Sequence, residues 1–461
     1  MSLAEILAGI DAWVVGGAVR DELLGRPIRD VDVAVAGDPE PPARAVAAAV
    51  RGPAFRLSEA FGAWRVIERP TGRVYDFSPL QGETIEEDLG RRDFTVNAIA
   101  RPVSGGDPID PFGGRSDLAG RRLRVLGREA YESDPLRPLR LARLAAELGF
   151  APDAETERLT LAAAPRAREA AGERLFGEVR RLLIAPGVLA GLDLADRLGL
   201  LRAVLPEVAD LHEVEQSRYH HLDVYGHTIE VLERQIELEG RLDEIFGPLG
   251  PRVGAALDEP LADELTRGQA LRFGALLHDI GKPATRSVRP DGRITFMSHD
   301  RVGRDMCRAV CRRLRTSERL SQFLQGLTRN HLRLGFLVHE RPLDRRATYR
   351  YLHRTSPVEV EVTLLSCADR MATRGRNAER ATRAHLELAR ELMPAALEWR
   401  AKGPPKVPVR GDELAGELGL EPGPELGRLL AELEEAAYAG EVATRAEAVA
   451  LARRLRHNSH A

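Results

Sequence analysis

Two aspartates, Asp30 and Asp32, stand two apart in the run Asp30-Val31-Asp32-Val33, which alternates acidic and apolar residues. On a β-strand that spacing sends both carboxylates off one face. A carboxylate pair suits Mg2+, which binds oxygen ligands with octahedral geometry. Paired ions of this kind activate an attacking hydroxyl and steady a departing pyrophosphate in an in-line displacement. Upstream, Gly16-Gly17 lets backbone come close to a triphosphate, and Arg20, next to Asp21, offers it a cation. An isolated Asp-x-Asp is more often a solvated strand edge. Gly-Gly-x-x-Arg-Asp ahead of it shifts the reading to nucleotidyl transfer.

A second constellation comprises His227, His278-Asp279 and Asp369. The adjacent pair follows the apolar run Phe273–Leu277, which places it at a helix end. Imidazole and carboxylate ligands suit Mn, Ni, Co, Fe or Mg. A bound divalent metal lowers the pKa of water for attack on a phosphoester, and Lys282 is placed to pair with the phosphate. His299 and His331 are either further ligands or ordinary core histidines. His220 and His221 are adjacent, face different ways and receive no chemical role. Asp134 and Arg137 are three apart and share a face if helical. Such an acceptor and donor match the edge of C or of A, each of which presents an amino donor and a ring-nitrogen acceptor. The other reading is a surface ion pair.

The elements that must carry these residues change type along the chain. Ala12–Val15 and Asp30–Val35 read as strands. Trp64–Ile67 and Arg73–Phe77 read as a hairpin about Pro70-Thr71-Gly72. From Asp134 onward the pattern is helical, with Leu139, Ala142, Leu144 and Leu148 forming one apolar face, and no strand-like alternation is expected. The charged, Gly- and Pro-bearing stretch 237–262 reads as a loop or insertion. Lys402–Pro408 reads as a linker, because its prolines cannot continue a helix.

The chain has 461 residues, 43% hydrophobic and 30% charged, which suits two to four soluble domains. Its net charge of −3 excludes a generally basic nucleic-acid binder and confines any such contact to local arginines. The three cysteines, Cys307, Cys311 and Cys367, read as reduced core thiols of a cytoplasmic protein. Neither a signal peptide nor a membrane span is expected.

The motifs together resemble the class II CCA-adding enzyme and bacterial poly(A) polymerase family across nearly the whole chain. Gly16, Gly17, Arg20, Asp21, Asp30 and Asp32 match its first motif. Arg91-Arg92-Asp93-Phe94-Thr95-Val96-Asn97-Ala98 matches the second, which in the family contacts triphosphate and ribose. Asp110-Pro111-Phe112-Gly113-Gly114 matches a hinge. Asp134-Pro135-Leu136-Arg137-Pro138-Leu139-Arg140 matches the nucleotide-reading helix, and Glu173–Glu178 the following neck motif. Where the family often has Glu before this Asp, the chain has Ser133, read as a helix N-cap. Residues 220–375 resemble the HD phosphohydrolase superfamily, and 411–427 the family's tail, where Pro422-Gly423-Pro424 leaves helix-opening N–H groups free for a phosphate.

The resemblance implies an α/β nucleotidyltransferase head (1–125), an all-α neck (126–210), an HD-type helical domain (211–400) and a helical tail (408–461). It implies addition of C, A or both to the 3′ end of tRNA or another RNA, with ATP and CTP as substrates and Mg2+ on Asp30 and Asp32. Arg20 and Arg92 would hold phosphates, and Asp93 would lie near the ribose. Asp134 and Arg137 would read the base, within a pocket completed by Gly16, Gly17, Asn97 and Arg140. CCA-adding relatives carry a longer flexible segment where this chain has only Ser78–Ile85. CC-adding members are short there, so addition of the terminal A stays open. Poly(A) synthesis, a metal-dependent phosphohydrolase with an RNA-binding head, and a non-catalytic RNA chaperone are the competing readings. The oligomeric state is open.

Overall fold

In a computed structural model, which describes residues 2–58, 62–69, 71–216, 222–374 and 378–459, the chain divides into compact units Met1–Val204 and Leu205–Ala461. The first is built on a six-stranded sheet. Its strands are β1 (Ala12–Val15), β2 (Asp30–Val35), β3 (Ala54–Ser58), β4 (Ala63–Ile67), β5 (Val74–Pro79) and β6 (Ala100–Pro102), in the order β3-β4-β5-β2-β1-β6. Within this sheet, among the described residues, only β2 and β5 pair in parallel. The expected hairpin is β4–β5, with Pro70 of its turn outside the described residues.

The two-residue period of β2 decides what each face does. Val31, Val33 and Val35 enter a core with Val66, Phe77 and the helix Glu40–Val50. Asp30, Asp32 and Ala34 share the other face. There Ala34 packs with Ile85 and Leu89 of a helix spanning Ile85–Gly90, and the two aspartates are left exposed.

The helices that carry the sites are numbered here in chain order. Helix α1 (Gly17–Leu23) joins β1 to β2. Helix α2 (Arg137–Leu148) tolerates Pro138 in its first turn, where no intrahelical N–H is needed. It packs on α3 (Gly172–Ile184), and of its expected apolar face Leu139, Ala142 and Leu144 are buried and Leu148 is half-buried.

The second unit contains α4 (Val224–Gly240), α5 (Arg267–Leu277), α6 (His299–Leu314), α7 (Glu318–Asn330), α8 (Glu359–Met371) and α9 (Ala378–Lys402). Stretch 237–262 is not a loop. Helices Leu242–Phe246 and Gly250–Asp258 fill most of it, and Pro251 sits in the first turn of the latter, so the Gly and Pro residues punctuate helices rather than abolish them. Short ribbons also occur beyond Asp134, including Arg286–Val288 with Ile294–Phe296, too brief to show an alternation. The linker after Lys402 holds, and three tail helices enclose Leu414, Leu433 and Ala452. Among the described residues no helix is long and apolar enough to cross a membrane. All three cysteines are buried and unbonded.

Candidate active sites

The parallel register of β2 and β5 sets Asp76 beside Asp32, adding a third carboxylate to the expected pair. Asp76 accepts two hydrogen bonds of 2.7 Å from Arg65. Asp32 is exposed to solvent. Its pKa is raised by the surrounding protein, with Asp76 and Asp30 adding repulsion and Arg92 opposing. Gly16 opens α1 at φ 70°, and a Cβ there would lie 2.9 Å from an Arg92 terminal nitrogen and 3.6 Å from Asp32 Oδ2. Only glycine fits this conformation beside those two groups.

Arg92 donates to Asp88 at 2.9 and 3.3 Å through its other nitrogens. Arg20 is not the free cation that the sequence suggested. It donates to Asp21 at 2.9 and 3.0 Å and to Asn97 at 2.7 Å, so three of its five N–H groups are committed. Asn97 donates in turn to Asp93 at 3.0 Å, and Arg140 donates to the other Asp93 oxygen at 2.6 Å. Burial pushes the Asp93 carboxyl up, but Arg140 and Asn97 outweigh it and hold the group well below the usual range.

In the second unit, Asp279 lies among four imidazoles. Its Oδ2 is 3.1 Å from His278 Nε2, 3.8 Å from His227 Nε2 and 2.6 Å from Lys282 Nζ. Its Oδ1 is 3.5 Å from His299 Nε2 and 3.7 Å from His331 Nε2. Asp369 lies 3.0 Å from His227 Nε2. His278, His299 and His331 are each aimed by an Nδ1 contact of 2.7 to 2.8 Å to a backbone carbonyl three residues back. Two buried triads result, His227–His278–Asp279 and Asp279–His299–His331, with ligand atoms close enough to hold an ion each. His299 and His331, left open by the sequence, thus join the cluster.

The cluster passes a chemical test for divalent metal. Asp279 Oδ1 is buried without a hydrogen-bond partner among the described residues. Burial pushes the His331 pKa down to about 3, which keeps its imidazole neutral. Lys282, expected to meet a phosphate, instead bonds Asp279 and Gln216. A cavity of about 510 Å³ opens beside Asp279, lined also by Phe296, Met297, Asp369 and His385. His220 and His221 lie outside the described residues.

Residues 12–124 match the family model for the poly A polymerase head domain, and residues 224–374 match the HD domain. Residues 149–211 match the model described as "Probable RNA and SrmB- binding site of polymerase A". An A-adding tRNA nucleotidyltransferase of Deinococcus radiodurans is 37% identical over 96% of this chain and 95% of its own. A CC-adding tRNA nucleotidyltransferase of Thermus thermophilus is 36% identical over 95% of this chain and 92% of its own. The chain belongs to the tRNA nucleotidyltransferase family. Its fold also matches a Thermotoga maritima CCA-adding enzyme solved with a tRNA, at TM-score 0.60 and 19% identity, covering 98% of this chain and 94% of that one.

Two expectations drawn from the family motifs need correction. Asp134 and Arg137 do not share a helix face, because α2 begins only at Arg137 and Asp134 is extended. Asp134 accepts from Arg174 at 3.1 and 2.6 Å and from the Leu136 N–H at 3.1 Å. Arg137 donates to the carbonyls of Arg91 at 2.8 Å, Arg92 at 3.2 Å and Ala130 at 3.0 Å, which straps α2 to the second motif. Ser133 is no N-cap. It ends the helix Arg128–Ser133, and its hydroxyl donates back to Ala130. Arg174 and Asp76 are the site residues that sequence reasoning missed. Alternation in β5 signalled Asp76, and the neck motif contained Arg174, but neither stretch revealed its partner.

Proposed function

We propose that this nucleotidyltransferase adds cytidine nucleotides to the 3′ end of tRNA, using CTP. Nucleotidyl transfer is carried by three carboxylates, Asp30, Asp32 and Asp76, gathered at one end of a sheet face against Arg92 and the Gly16 turn, and the preference for CTP by the short, bonded segment after β5. In the reaction the RNA 3′-oxygen attacks the α-phosphorus. The bond to the pyrophosphate oxygen breaks, and extended RNA and pyrophosphate leave. Asp30 and Asp32, with Asp76, would hold Mg2+, which supplies charge neutralisation and a more acidic attacking hydroxyl when bound.

Arg92 meets the triphosphate, and Arg20 both shares that task and fixes Asn97. Arg140 and Asn97 hold Asp93 toward the ribose. Asp134, oriented by Arg174, presents an acceptor to the amino group of the base, and Arg137 holds the neighbouring backbone. The relatives' names, CC-adding and A-adding, support tRNA as the acceptor and CTP or ATP as donors. The four-part division into head, neck, HD domain and tail is retained, and the buried free thiols support a reducing, cytoplasmic setting. The test supplies a tRNA that ends before CCA with CTP, ATP or both and sizes the products. Extension with CTP confirms the reading. A long A ladder moves it to poly(A) synthesis, and no extension either of this tRNA or of one ending in CC leaves only the phosphohydrolase with an RNA-binding head.

A second activity has its own observation. The Asp279-centred cluster would hold one or two divalent ions of the Mn, Ni, Co, Fe or Mg type, which acidify a water for attack on a phosphoester. Asp279 is the shared ligand, and His227, His278, Asp369, His299 and His331 complete the set. Hydrolysis of a terminal 2′,3′-cyclic phosphate needs water alone. One P–O bond breaks, and a phosphomonoester and a free hydroxyl remain.

A further inference from the structure

Helix α6 begins at the cluster residue His299 and then exposes Arg301, Arg308 and Arg312. At 3.6 residues per turn and 1.5 Å per residue these fall within about 40° of one another and span about 16 Å. Among the described residues none of the three has an ion-pair partner, whereas Arg304 beside them is paired with Asp305 at 2.7 Å. A chain with net charge −3 that leaves three aligned arginines uncompensated concentrates positive potential on that face.

Beside them, at the start of α6, Arg329 of α7 pairs with Asp300. The apolar surface lies at the same end. Met297 lines the cavity and is 70% exposed, and Phe336, next to the cavity-lining Gly335, is 63% exposed. A row of cations beside exposed apolar side chains, one of them the Phe336 ring, suits single-stranded nucleic acid, with phosphates on arginines and a base on the apolar surface. The cavity, at about 510 Å³, has room for a nucleotide but not for a duplex end.

We propose that the exposed face of α6 is a track for single-stranded RNA, with Arg301, Arg308 and Arg312 on its phosphates. Met297 and Phe336 take the last base, so that the terminal phosphoester enters the Asp279 cavity. The proposal rests on the phosphohydrolase reading above and adds its substrate class: an RNA end rather than a free nucleotide.

The test uses full-length protein supplied with Mn2+ or Ni2+, as wild type and as the R301E/R308E/R312E variant, whose changes are all on the surface. Hydrolysis is followed for adenosine 2′,3′-cyclic phosphate and for a single-stranded RNA decamer with the same cyclic end. The variant should lose about tenfold or more in kcat/KM on the decamer, and its salt dependence should flatten by about 2 in log–log slope, 0.7 per cation removed. The mononucleotide rate should stay unchanged. Equal effects on both substrates, or none on the decamer, overturn the track. Nucleotide addition to tRNA should be intact; a matching loss there would assign the face to the transferase reaction and overturn the proposal. If wild type hydrolyses neither substrate, the phosphohydrolase reading fails separately. Fluorescence anisotropy of the labelled decamer then decides the track, with weaker binding by the variant supporting it and equal binding refuting it.

Discussion

Arg174 makes two hydrogen bonds to Asp134, and the Leu136 N–H adds a third, so one acceptor is held in a fixed direction ahead of α2. If that acceptor selects the amino group of C or A, releasing it should loosen base choice. Arg174→Ala is expected to reduce the preference for CTP and ATP over GTP and UTP about tenfold, roughly 1.4 kcal/mol, within the range for one directed base contact. Its KM for the preferred triphosphate should change little, because Arg92 is untouched; misincorporation on tRNA measured with each nucleotide alone checks both. Arg137→Ala should differ, raising the triphosphate KM as well, since its guanidinium holds the carbonyls of Arg91 and Arg92. A selective loss of base choice in that variant would restore Arg137 as a direct reader. The contrast shows how residues became legible. Asp30 with Asp32 and His278 with Asp279 could be read because each pair is local. The three-residue spacing of Asp134 and Arg137 suggests one helix, but the chain is extended at Asp134 and the helix begins only at Arg137. The partner of Asp134 lies 40 positions away, a pairing that only folding specifies.

Strand β5 ends at Pro79, and the segment that follows is tied down at almost every step. Leu80 N–H reaches the Val35 carbonyl at 3.0 Å, Gln81 N–H reaches Asp88 at 3.0 Å and Glu83 N–H reaches Glu87 at 2.8 Å. Thr84 then caps the helix Ile85–Gly90. A segment this short and this bonded has little slack with which to reshape the pocket after two cytidines. On tRNA ending in CC, with ATP alone, addition of A is therefore expected to be slow and incomplete, while CTP is added readily to tRNA lacking CCA. Rapid, complete addition of one A would refute the argument and favour CCA or A addition. Elsewhere, helices are joined by charge. Buried Glu361 on α8 accepts from Arg267 on α5 and from Arg400 on α9, at 2.8 Å for the latter. Burial raises its pKa, but the two arginines prevail and lower it. Its stabilisation is therefore present above the unfolded glutamate pKa of about 4.3 and is lost as pH falls through the lower folded value. Glu361→Gln should cost about 3 kcal/mol at neutral pH, because the buried Arg267 guanidinium loses its counter-charge while Arg400 keeps Glu359, and should flatten the acid limb of stability below about pH 4.3. Chemical denaturation across that range measures both. Strands β1 and β2, the β4–β5 hairpin and the helix-rich second half were legible from periodicity, whereas the strand order and this network were not, since the network's members are spread from residue 267 to residue 400.

At the scale of the molecule, the two clusters fall in different compact units, Asp30 and Asp32 in Met1–Val204 and Asp279 in Leu205–Ala461. Each has its own carboxylates, and no described residue serves both. The chemistry also differs: one site needs hard oxygen ligands for a triphosphate, the other a mixed imidazole and carboxylate set for water activation. Two separate clusters are readable in sequence because each unit carries a dense local motif. Independence makes a crossed pair of variants decisive. Asp32→Ala should lower nucleotide addition to tRNA by about 100-fold or more, the scale on which removal of one preorganised electrostatic group acts, and leave phosphoester hydrolysis at its wild-type rate. Asp279→Asn should do the reverse, with divalent metal in the purified protein, measured by elemental analysis, falling alongside hydrolysis. Loss of addition in the second variant, with its fold intact by circular dichroism, would mean that the two units act as one machine and that the separation argued from their residues is wrong.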